Sequence, residues 1–135
     1  MYKKERSQTL ACKVLILGES NVGKTSIISR FLSNDFDYNK YSMSGAYKTN
    51  KTMFLKNKNS NKIINFEIWD TPGQKKFRIL HRVLYNNVNV FILVYDITNC
   101  SSFDELKNYW INEIKTNVLN SSSILLIILN YFLYF

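Results

Sequence analysis

The chain has 135 residues, which gives room for one domain with one ordinary hydrophobic core and excludes two independent domains. Apolar residues make up 46% and charged residues 21%, so the composition excludes a disordered or collagen-like chain. Lysine and arginine number 18 against 10 acidic residues, a formal net charge of +8. Residues 40–62 carry six lysines and no acid, which indicates a solvated loop or, alternatively, a surface that attracts phosphate, nucleic acid or an anionic membrane.

The signals for compartment and targeting are few. Cys12 and Cys100 lie far apart, and the N-terminus lacks the pattern of a secretion signal, so we expect reduced thiols and a cytoplasmic protein. The chain has no Met-Gly start and no C-terminal cysteine, so we expect no lipidation site in it. The lysine-rich stretch lacks the interleaved aromatic residues of a nucleic-acid platform, and no nucleic-acid partner is predicted.

The first third of the chain predicts a strand, a helix and a loop. Residues 1–11 are predicted to be an N-terminal arm, and the apolar run of residues 12–17 is typical of a strand buried on both faces of a parallel sheet. Helical spacing begins at Thr25 and is carried by Ile27, Ile28, Phe31 and Leu32. Residues 36–50 have no period and predict a surface loop.

The middle of the chain predicts a β-hairpin. Two strand-like runs, residues 52–55 and 63–69, flank the turn-prone segment 57–61. Pro72 and Gly73 end the second run, and the basic segment after them is predicted to be irregular.

The last third predicts a buried strand, a helix and another buried strand. Residues 90–95 and 124–129 are apolar runs, and a helix begins near Ser101 with acidic residues in its first turn. The order strand, helix, hairpin, strand, helix, strand predicts an α/β fold with a mostly parallel sheet and helices on both faces.

Residues 18–25, GESNVGKT, match the phosphate-loop pattern G-x-x-x-x-G-K-[ST] in full, between a predicted strand and a predicted helix. In such a loop, consecutive backbone N–H groups and the helix N-terminus bind an anionic phosphate. We predict that Lys24 neutralises the terminal phosphate charge and that Thr25 offers an oxygen to Mg²⁺. The predicted nucleotide-binding residues here are Gly18, Ser20, Asn21, Val22, Gly23, Lys24, Thr25 and Ser26.

A second motif, DTPGQ at residues 70–74, follows the second strand of the predicted hairpin. Asp70 is predicted to hold Mg²⁺ directly or through water, and Gly73 is predicted to give the backbone close access to the terminal phosphate. Gln74 is the predicted catalytic residue, because its side chain can orient an attacking water. An Asp-x-x-Gly pattern alone is typical of an ordinary turn, and its pairing with the phosphate loop favours the functional interpretation.

These motifs, together with LVYDIT at residues 93–98 and the SFDELKNYW that follows, resemble a small GTPase of the Ras superfamily, in its Rab-like branch. The resemblance covers residues 12 to about 129 and implies the P-loop NTPase (small G-protein) fold, binding of GTP and GDP with Mg²⁺, slow GTP hydrolysis and a switch between two conformations. It also implies an exchange factor, an activating protein and trafficking effectors as partners, in the cytoplasm or at the cytoplasmic face of endomembranes. By family position, Phe36 lies against the guanine base or, alternatively, in the core.

Several positions depart from the family pattern. Met43 stands where the first switch loop has a threonine, and its thioether is a poor ligand for Mg²⁺, although a serine stands on each side of it. Pro72 replaces the usual alanine, and Lys75 replaces the usual glutamate. Leu133 stands in place of the aspartate that reads guanine, which predicts weak GTP binding and poor rejection of ATP.

The end of the chain is predicted to be unlike the family. Residues 12–129 are expected to form an incomplete GTPase domain without the last strand and helix, as in a truncated or misread gene product, and residues 130–135 an apolar tail prone to aggregation. As a helix, the apolar run 124–135 would span about 18 Å, less than the roughly 30 Å of a bilayer core, so no membrane span is expected.

Two functional hypotheses remain open at this point. The intact residues 18–25 and Gln74 favour a GTP-hydrolysing switch. Met43, Pro72 and the missing base-reading loop favour the alternative, a pseudo-GTPase fragment that acts through protein contacts. A P-loop ATPase or nucleotide kinase is a weaker third hypothesis, because the DTPGQ motif of residues 70–74 argues against it.

Overall fold

A computed structural model describes residues 8–33, 45–57, 60–118 and 124–130. The strands are β1 (Gln8–Leu17), β2 (Tyr47–Asn57), β3 (Ser60–Asp70), β4 (Val90–Asp96) and β5 (Ile124–Asn130). The α-helices are α1 (Lys24–Ser33), α2 (Arg78–His81), α3 (Cys100–Glu105) and α4 (Ile111–Asn117). Two 3₁₀ turns, Lys75–Phe77 and Arg82–Tyr85, flank α2. A π-helical segment, Leu106–Trp110, joins α3 to α4, so that residues 100–117 form one continuous helix.

The strands form one sheet in the order β2-β3-β1-β4-β5. β2 runs antiparallel to β3, and the other neighbouring pairs are parallel, which confirms the predicted mostly parallel α/β fold. Ile16 of β1 lies beside Asp70 of β3, and Leu17 lies beside Leu93 of β4. The carboxyl ends of these strands therefore meet at one edge of the sheet, which is where open α/β sheets bind ligands.

The side chains of β1 alternate between two hydrophobic cores. Leu15 and Leu17 face a core that includes Trp110 from the helix of residues 100–117. Val14 and Ile16 belong to a second core, which includes Ile28 of α1. Because neighbouring strand residues point to opposite faces, the sheet has a helix on each face, as the continuous apolar run predicts.

The exposed ends of two strands differ from the sequence predictions. β1 begins at Gln8 instead of Cys12, because residues 8–11 pair with residues 62–65 of the long hairpin. β2 begins at Tyr47, so the prediction of a loop through residue 50 is wrong over its last positions. Hydrophobic patterns report burial and not backbone pairing, so they miss strand ends that are paired but exposed.

The hairpin of β2 and β3 carries much of the lysine-rich stretch, and Lys48, Lys51, Lys56 and Lys62 all lie on its strands rather than in a loop. Lys48 forms an ion pair of 3.6 Å with Glu67, and the ammonium of Lys51 lies 4.2 Å from the centre of the Phe31 ring. The prediction of a solvated loop is therefore wrong for these residues.

The basic segment after Gly73 is helical rather than irregular, since residues 75–85 form α2 and its flanking turns. Cys12 and Cys100 are both free thiols, as expected. Among the helices that the structure describes, none is long and apolar enough to cross a membrane.

Candidate functional site

The phosphate loop, residues 18–25, joins the buried end of β1 to the first turn of α1. Three of its residues have positive φ angles: Gly18 at 145°, Asn21 at 63° and Gly23 at 93°. A Cβ atom at Gly18 would overlap the carbonyl oxygen of Val94 on β4, so this position requires glycine. The loop therefore turns tightly before the helix, in the manner that points successive N–H groups at an anion.

Lys24 begins α1, and its side chain folds back over the phosphate loop. Its ammonium donates hydrogen bonds to the backbone oxygens of Gly18 at 2.9 Å and Glu19 at 2.6 Å, and only 6% of the residue is exposed. Burial lowers the pKa of Lys24 to about 8, while the carboxylates of Asp70 and Glu19 oppose this shift. Lys24 is thus a buried cation whose charge an anionic ligand in the loop would stabilise.

Thr25 and Asp70 bring two oxygen atoms together beside the loop. The Thr25 hydroxyl donates a hydrogen bond of 2.5 Å to Oδ2 of Asp70, which ends β3 and is 4% exposed. Such oxygens are the ligands that Mg²⁺ prefers, with phosphates and waters completing the shell, so the pair fits a magnesium ion shared with a nucleotide. No group of three or more His, Cys, Asp or Glu that could hold a metal occurs in the described ranges.

The segment after β3 lies directly against the phosphate loop. The hydroxyl of Thr71 donates a hydrogen bond of 2.6 Å to the backbone oxygen of Ile16, which ties the segment to β1. A Cβ atom at Gly73 would overlap the backbone of the loop at Glu19, so only glycine permits this approach. Gln74 comes next, half-buried, with an extended backbone at φ −69° and ψ 137°. The structure thus brings Gln74 beside the loop.

The remaining predicted residues of the phosphate loop differ in what they can offer a ligand. Ser20 and Ser26 are half-buried, and Asn21 is exposed. Val22 is 1% exposed and its side chain belongs to the core on the α1 side of the sheet. Val22 can therefore contact a nucleotide through its backbone only.

Some predicted positions lie outside the described residues. These are Phe36, assigned to the guanine base or the core, Met43 in the first switch loop and Leu133 at the base-reading position. Their roles stay predictions. Pro72, by contrast, is described and buried.

A charge cluster beside the loop was missed by the sequence reasoning. The Nη2 atom of Arg78 donates hydrogen bonds to Glu19 at 2.5 Å and to Glu105 at 2.7 Å. The indole N–H of Trp110 donates to the same Glu19 carboxylate at 3.1 Å, and Lys75 forms an ion pair of 2.8 Å with Glu105. These partners are separated by 27 to 91 positions, so no spacing links them. An acid in the phosphate loop and a later run of basic residues are the signal that could have indicated the cluster.

His81 lies in α2 and is 1% exposed. Its ring stacks on Trp110, with the centroids 5.5 Å apart and the planes inclined by 19°. Burial, followed by the positive charge of Lys24, lowers the pKa of His81 to about 4. His81 is therefore a neutral aromatic member of the interior and not one of the surface cations of the basic segment.

Comparison with known proteins agrees with this geometry. Residues 13–132 match the sequence profile of the family described as "Roc: Ras of Complex, Roc, domain of DAPkinase". The chain is 42% identical over 110 residues to GTP-binding protein YPT53 of Saccharomyces cerevisiae, covering 82% of this chain and 48% of that protein. It is 35% identical over 126 residues to a probable Rab-related GTPase of Acanthamoeba polyphaga mimivirus, covering 93% of this chain and 57% of the relative.

A third relative is GTP-binding protein ypt5 of Schizosaccharomyces pombe, 38% identical over 107 residues, which covers 79% of this chain and 49% of that protein. The chain thus spans about half the length of the curated relatives it matches. The family profile covers nearly the whole sequence, including both motifs and all five strands from Lys13 onward. The chain therefore belongs to the family of Ras-type GTPase domains that this profile describes.

Proposed function

We propose that the chain is a GTP-binding, GTP-hydrolysing molecular switch of the Rab type that acts in vesicle trafficking. The observation that carries the proposal is the convergence of buried Lys24 with the Thr25–Asp70 pair at the phosphate loop. One buried cation and two adjacent oxygen ligands match the needs of a nucleoside triphosphate bound with Mg²⁺. The relatives are named GTP-binding proteins or Rab-related GTPases, which supports guanine as the base.

Hydrolysis of GTP to GDP and inorganic phosphate needs little covalent chemistry from the protein, because positioning and charge stabilisation do most of the catalysis. The backbone N–H groups of residues 18–25 and the Lys24 ammonium bind phosphate oxygens. Thr25 and Asp70 would hold Mg²⁺, which supplies charge neutralisation when bound. Gln74 orients the water that attacks the γ-phosphorus.

Two arginines of residues 74–85, which we term the second-switch segment, support slow unaided hydrolysis. Arg78 is bound to Glu19 and Glu105, and Arg82 donates to Glu113 at 2.6 Å. Neither guanidinium is therefore available to the transferred phosphate in this conformation. We propose that an activating protein accelerates hydrolysis, that an exchange factor releases GDP and that trafficking effectors bind the GTP state. The proposed location is the cytoplasm and the cytoplasmic face of endomembranes.

A second candidate is a pseudo-GTPase that acts through protein contacts alone. Pro72 favours it, because a buried proline beside the phosphate loop fixes the backbone and lacks an N–H donor. This candidate predicts a folded chain that gives no turnover of bound GTP.

Titration with a fluorescent guanine nucleotide tests the proposal on the full chain. We expect Lys24→Ala to abolish binding at micromolar nucleotide, because the phosphates lose their main cationic partner. Lys115→Ala removes an exposed lysine from α4 and is the matched control. Unchanged binding by Lys24→Ala would place the nucleotide elsewhere. Competition with GTP and with ATP in the same assay measures base selectivity.

A further inference from the structure

Arg78, the first residue of α2, links that helix to the phosphate loop and to α3. Its Nη2 atom donates to Glu19 of the phosphate loop at 2.5 Å and to Glu105 of α3 at 2.7 Å, an arrangement we term the Arg78 bridge. The guanidinium carbon lies 3.9 Å from the centre of the Tyr109 ring, and the side chain is only 12% exposed. Such shielded, charge-assisted hydrogen bonds are stronger than those of surface ion pairs.

Glu19 connects this bridge to the phosphate-binding groups. Its side chain accepts hydrogen bonds from Arg78 and Trp110, while its backbone oxygen accepts one from the Lys24 ammonium at 2.6 Å. The backbone of Gly73 also packs against Glu19. Glu19 therefore contacts Lys24, the cation predicted to bind the phosphates. It also contacts Gly73 and Arg78, which lie on either side of Gln74 in the chain.

The acidic partners of the bridge are balanced by two cations. Hydrogen bonds from Lys75 and then from Arg78 lower the pKa of Glu105, which keeps this carboxylate ionised. Lys75 and Arg78 thus supply two positive charges to the two negative charges of Glu19 and Glu105. These four side chains together carry no net charge, and their ion pairs keep residues 74–78 close to the phosphate loop.

We propose that Arg78 is a positioning residue for GTP hydrolysis: by bridging Glu19 and Glu105 it fixes the distance between Gln74 and the phosphate loop. The inference rests on the proposed function and adds a residue that acts through Gln74. Upstream of Gln74, the Thr71 hydroxyl ties the chain to Ile16 of β1. Downstream, the Arg78 bridge provides the corresponding tie to the phosphate loop. Small misplacements of a catalytic group can slow a reaction by about 10²-fold.

Arg82 offers a matched control. Its guanidinium donates to both oxygens of Glu113, at 2.6 and 3.1 Å, and so ties the same segment to the same long helix. Both acceptors of these bonds belong to Glu113 on α4, whereas Arg78 reaches Glu19 of the phosphate loop. Loss of Arg82 therefore loosens the helix contact and leaves the Arg78 bridge in place.

The test measures the single-turnover rate constant for GTP cleavage and, separately, the Kd of a non-hydrolysable GTP analogue, in the full chain. We expect Arg78→Ala to lower the rate constant by about tenfold or more, with the Kd changed by less than about threefold. Arg78→Lys keeps the charge but not the planar guanidinium that bridges two carboxylates, so it should recover part of the rate. Arg82→Ala should cleave GTP at nearly the wild-type rate.

Three results would overturn the inference: an unchanged rate in Arg78→Ala, an equal loss in Arg78→Ala and Arg82→Ala, or a loss explained entirely by Kd. If Arg78→Ala does not fold, Glu105→Gln replaces it, since the amide keeps the shape of the side chain but removes one charge from the Arg78 bridge. An unchanged rate constant for GTP cleavage in Glu105→Gln would then overturn the inference. A wild-type chain that binds but never cleaves GTP would overturn the proposed function and this inference together. Normal wild-type cleavage with normal Arg78→Ala cleavage would overturn this inference alone.

Discussion

Thr25 and Asp70 are 45 positions apart in the chain, yet the threonine hydroxyl donates a hydrogen bond of 2.5 Å to the aspartate carboxylate. Their proximity follows from topology, because parallel pairing of β1 with β3 brings Asp70 beside Ile16, where the phosphate loop is about to begin. The two sequence motifs therefore form one site. We expect the properties of this site to depend on both residues together.

The oxygen pair predicts a metal-dependent preference between nucleotides. Thr25→Asn should weaken binding of the triphosphate in Mg²⁺ more than binding of the diphosphate, because a metal held at this pair also contacts the terminal phosphate. The measurement is titration with fluorescent GDP and a GTP analogue, each with Mg²⁺ and with EDTA.

The same substitution at Thr52 is the control, since that residue is exposed on β2 and its hydroxyl donates a hydrogen bond to the Asn65 side chain, away from the phosphate loop. Thr52→Asn should leave the preference unaltered. An unaltered preference in Thr25→Asn would contradict a metal site at this pair.

The phosphate loop predicts a large difference between two glycines. Gly18→Ala should destabilise the fold by about 3 kcal/mol, because its φ of 145° is strained for alanine and the new Cβ would overlap the Val94 carbonyl. Gly45→Ala should change stability by less than about 0.5 kcal/mol, since, its chain neighbours aside, no atom of the described residues lies within 4 Å of a Cβ there. Urea unfolding followed by tryptophan fluorescence compares the two, and similar midpoints would show that the loop tolerates a different backbone.

The buried imidazole predicts a pH dependence of stability. The pKa of His81 falls from 6.5 to about 4 in the folded protein, through burial and the charges of Lys24 and Arg78, while the Pro72 backbone and the charge of Glu113 oppose the shift. Between these pH values the unfolded chain binds more protons, so stability is full above about pH 6.5 and declines as pH falls toward 4.

His81→Phe keeps an aromatic ring against Trp110 but cannot be protonated. Its urea unfolding free energy should therefore fall less than that of the wild type between pH 7.5 and pH 5. Parallel decreases in the two proteins would mean that His81 is not responsible for the acid sensitivity.

Local sequence patterns suffice to predict the elements whose residues are buried or set by a turn. The strand of residues 90–95 and the helix after Gly23 are set by local apolar runs and turns, and these predictions agree with the structure. Motif spacing selects Lys24 and Asp70, and the structure places both beside the phosphate loop, while their binding roles stay predictions. The exposed start of β1 could not be predicted, because it depends on backbone pairing with a distant strand.

The contacts of the second-switch segment could not be predicted either, because they also depend on residues distant in the chain. Arg78 and His81 look like members of one solvated basic run, but Arg78 binds two carboxylates and His81 stacks on Trp110. Those partners are 27 or more positions away, and nothing in the local pattern selects them. Tertiary contacts, not the charge of the run, decide which of its residues are buried.

Single-turnover cleavage of GTP by the full chain distinguishes a GTP-hydrolysing switch from a pseudo-GTPase. The wild type should release inorganic phosphate slowly in Mg²⁺, and Gln74→Leu should slow the release by about tenfold or more, because the attacking water loses its orienting amide. Gln8→Leu makes the same change at the exposed start of β1 and should cleave at the wild-type rate. If the wild type binds GTP but releases phosphate no faster than a protein-free blank, the proposed hydrolysis is contradicted. That result would favour the pseudo-GTPase.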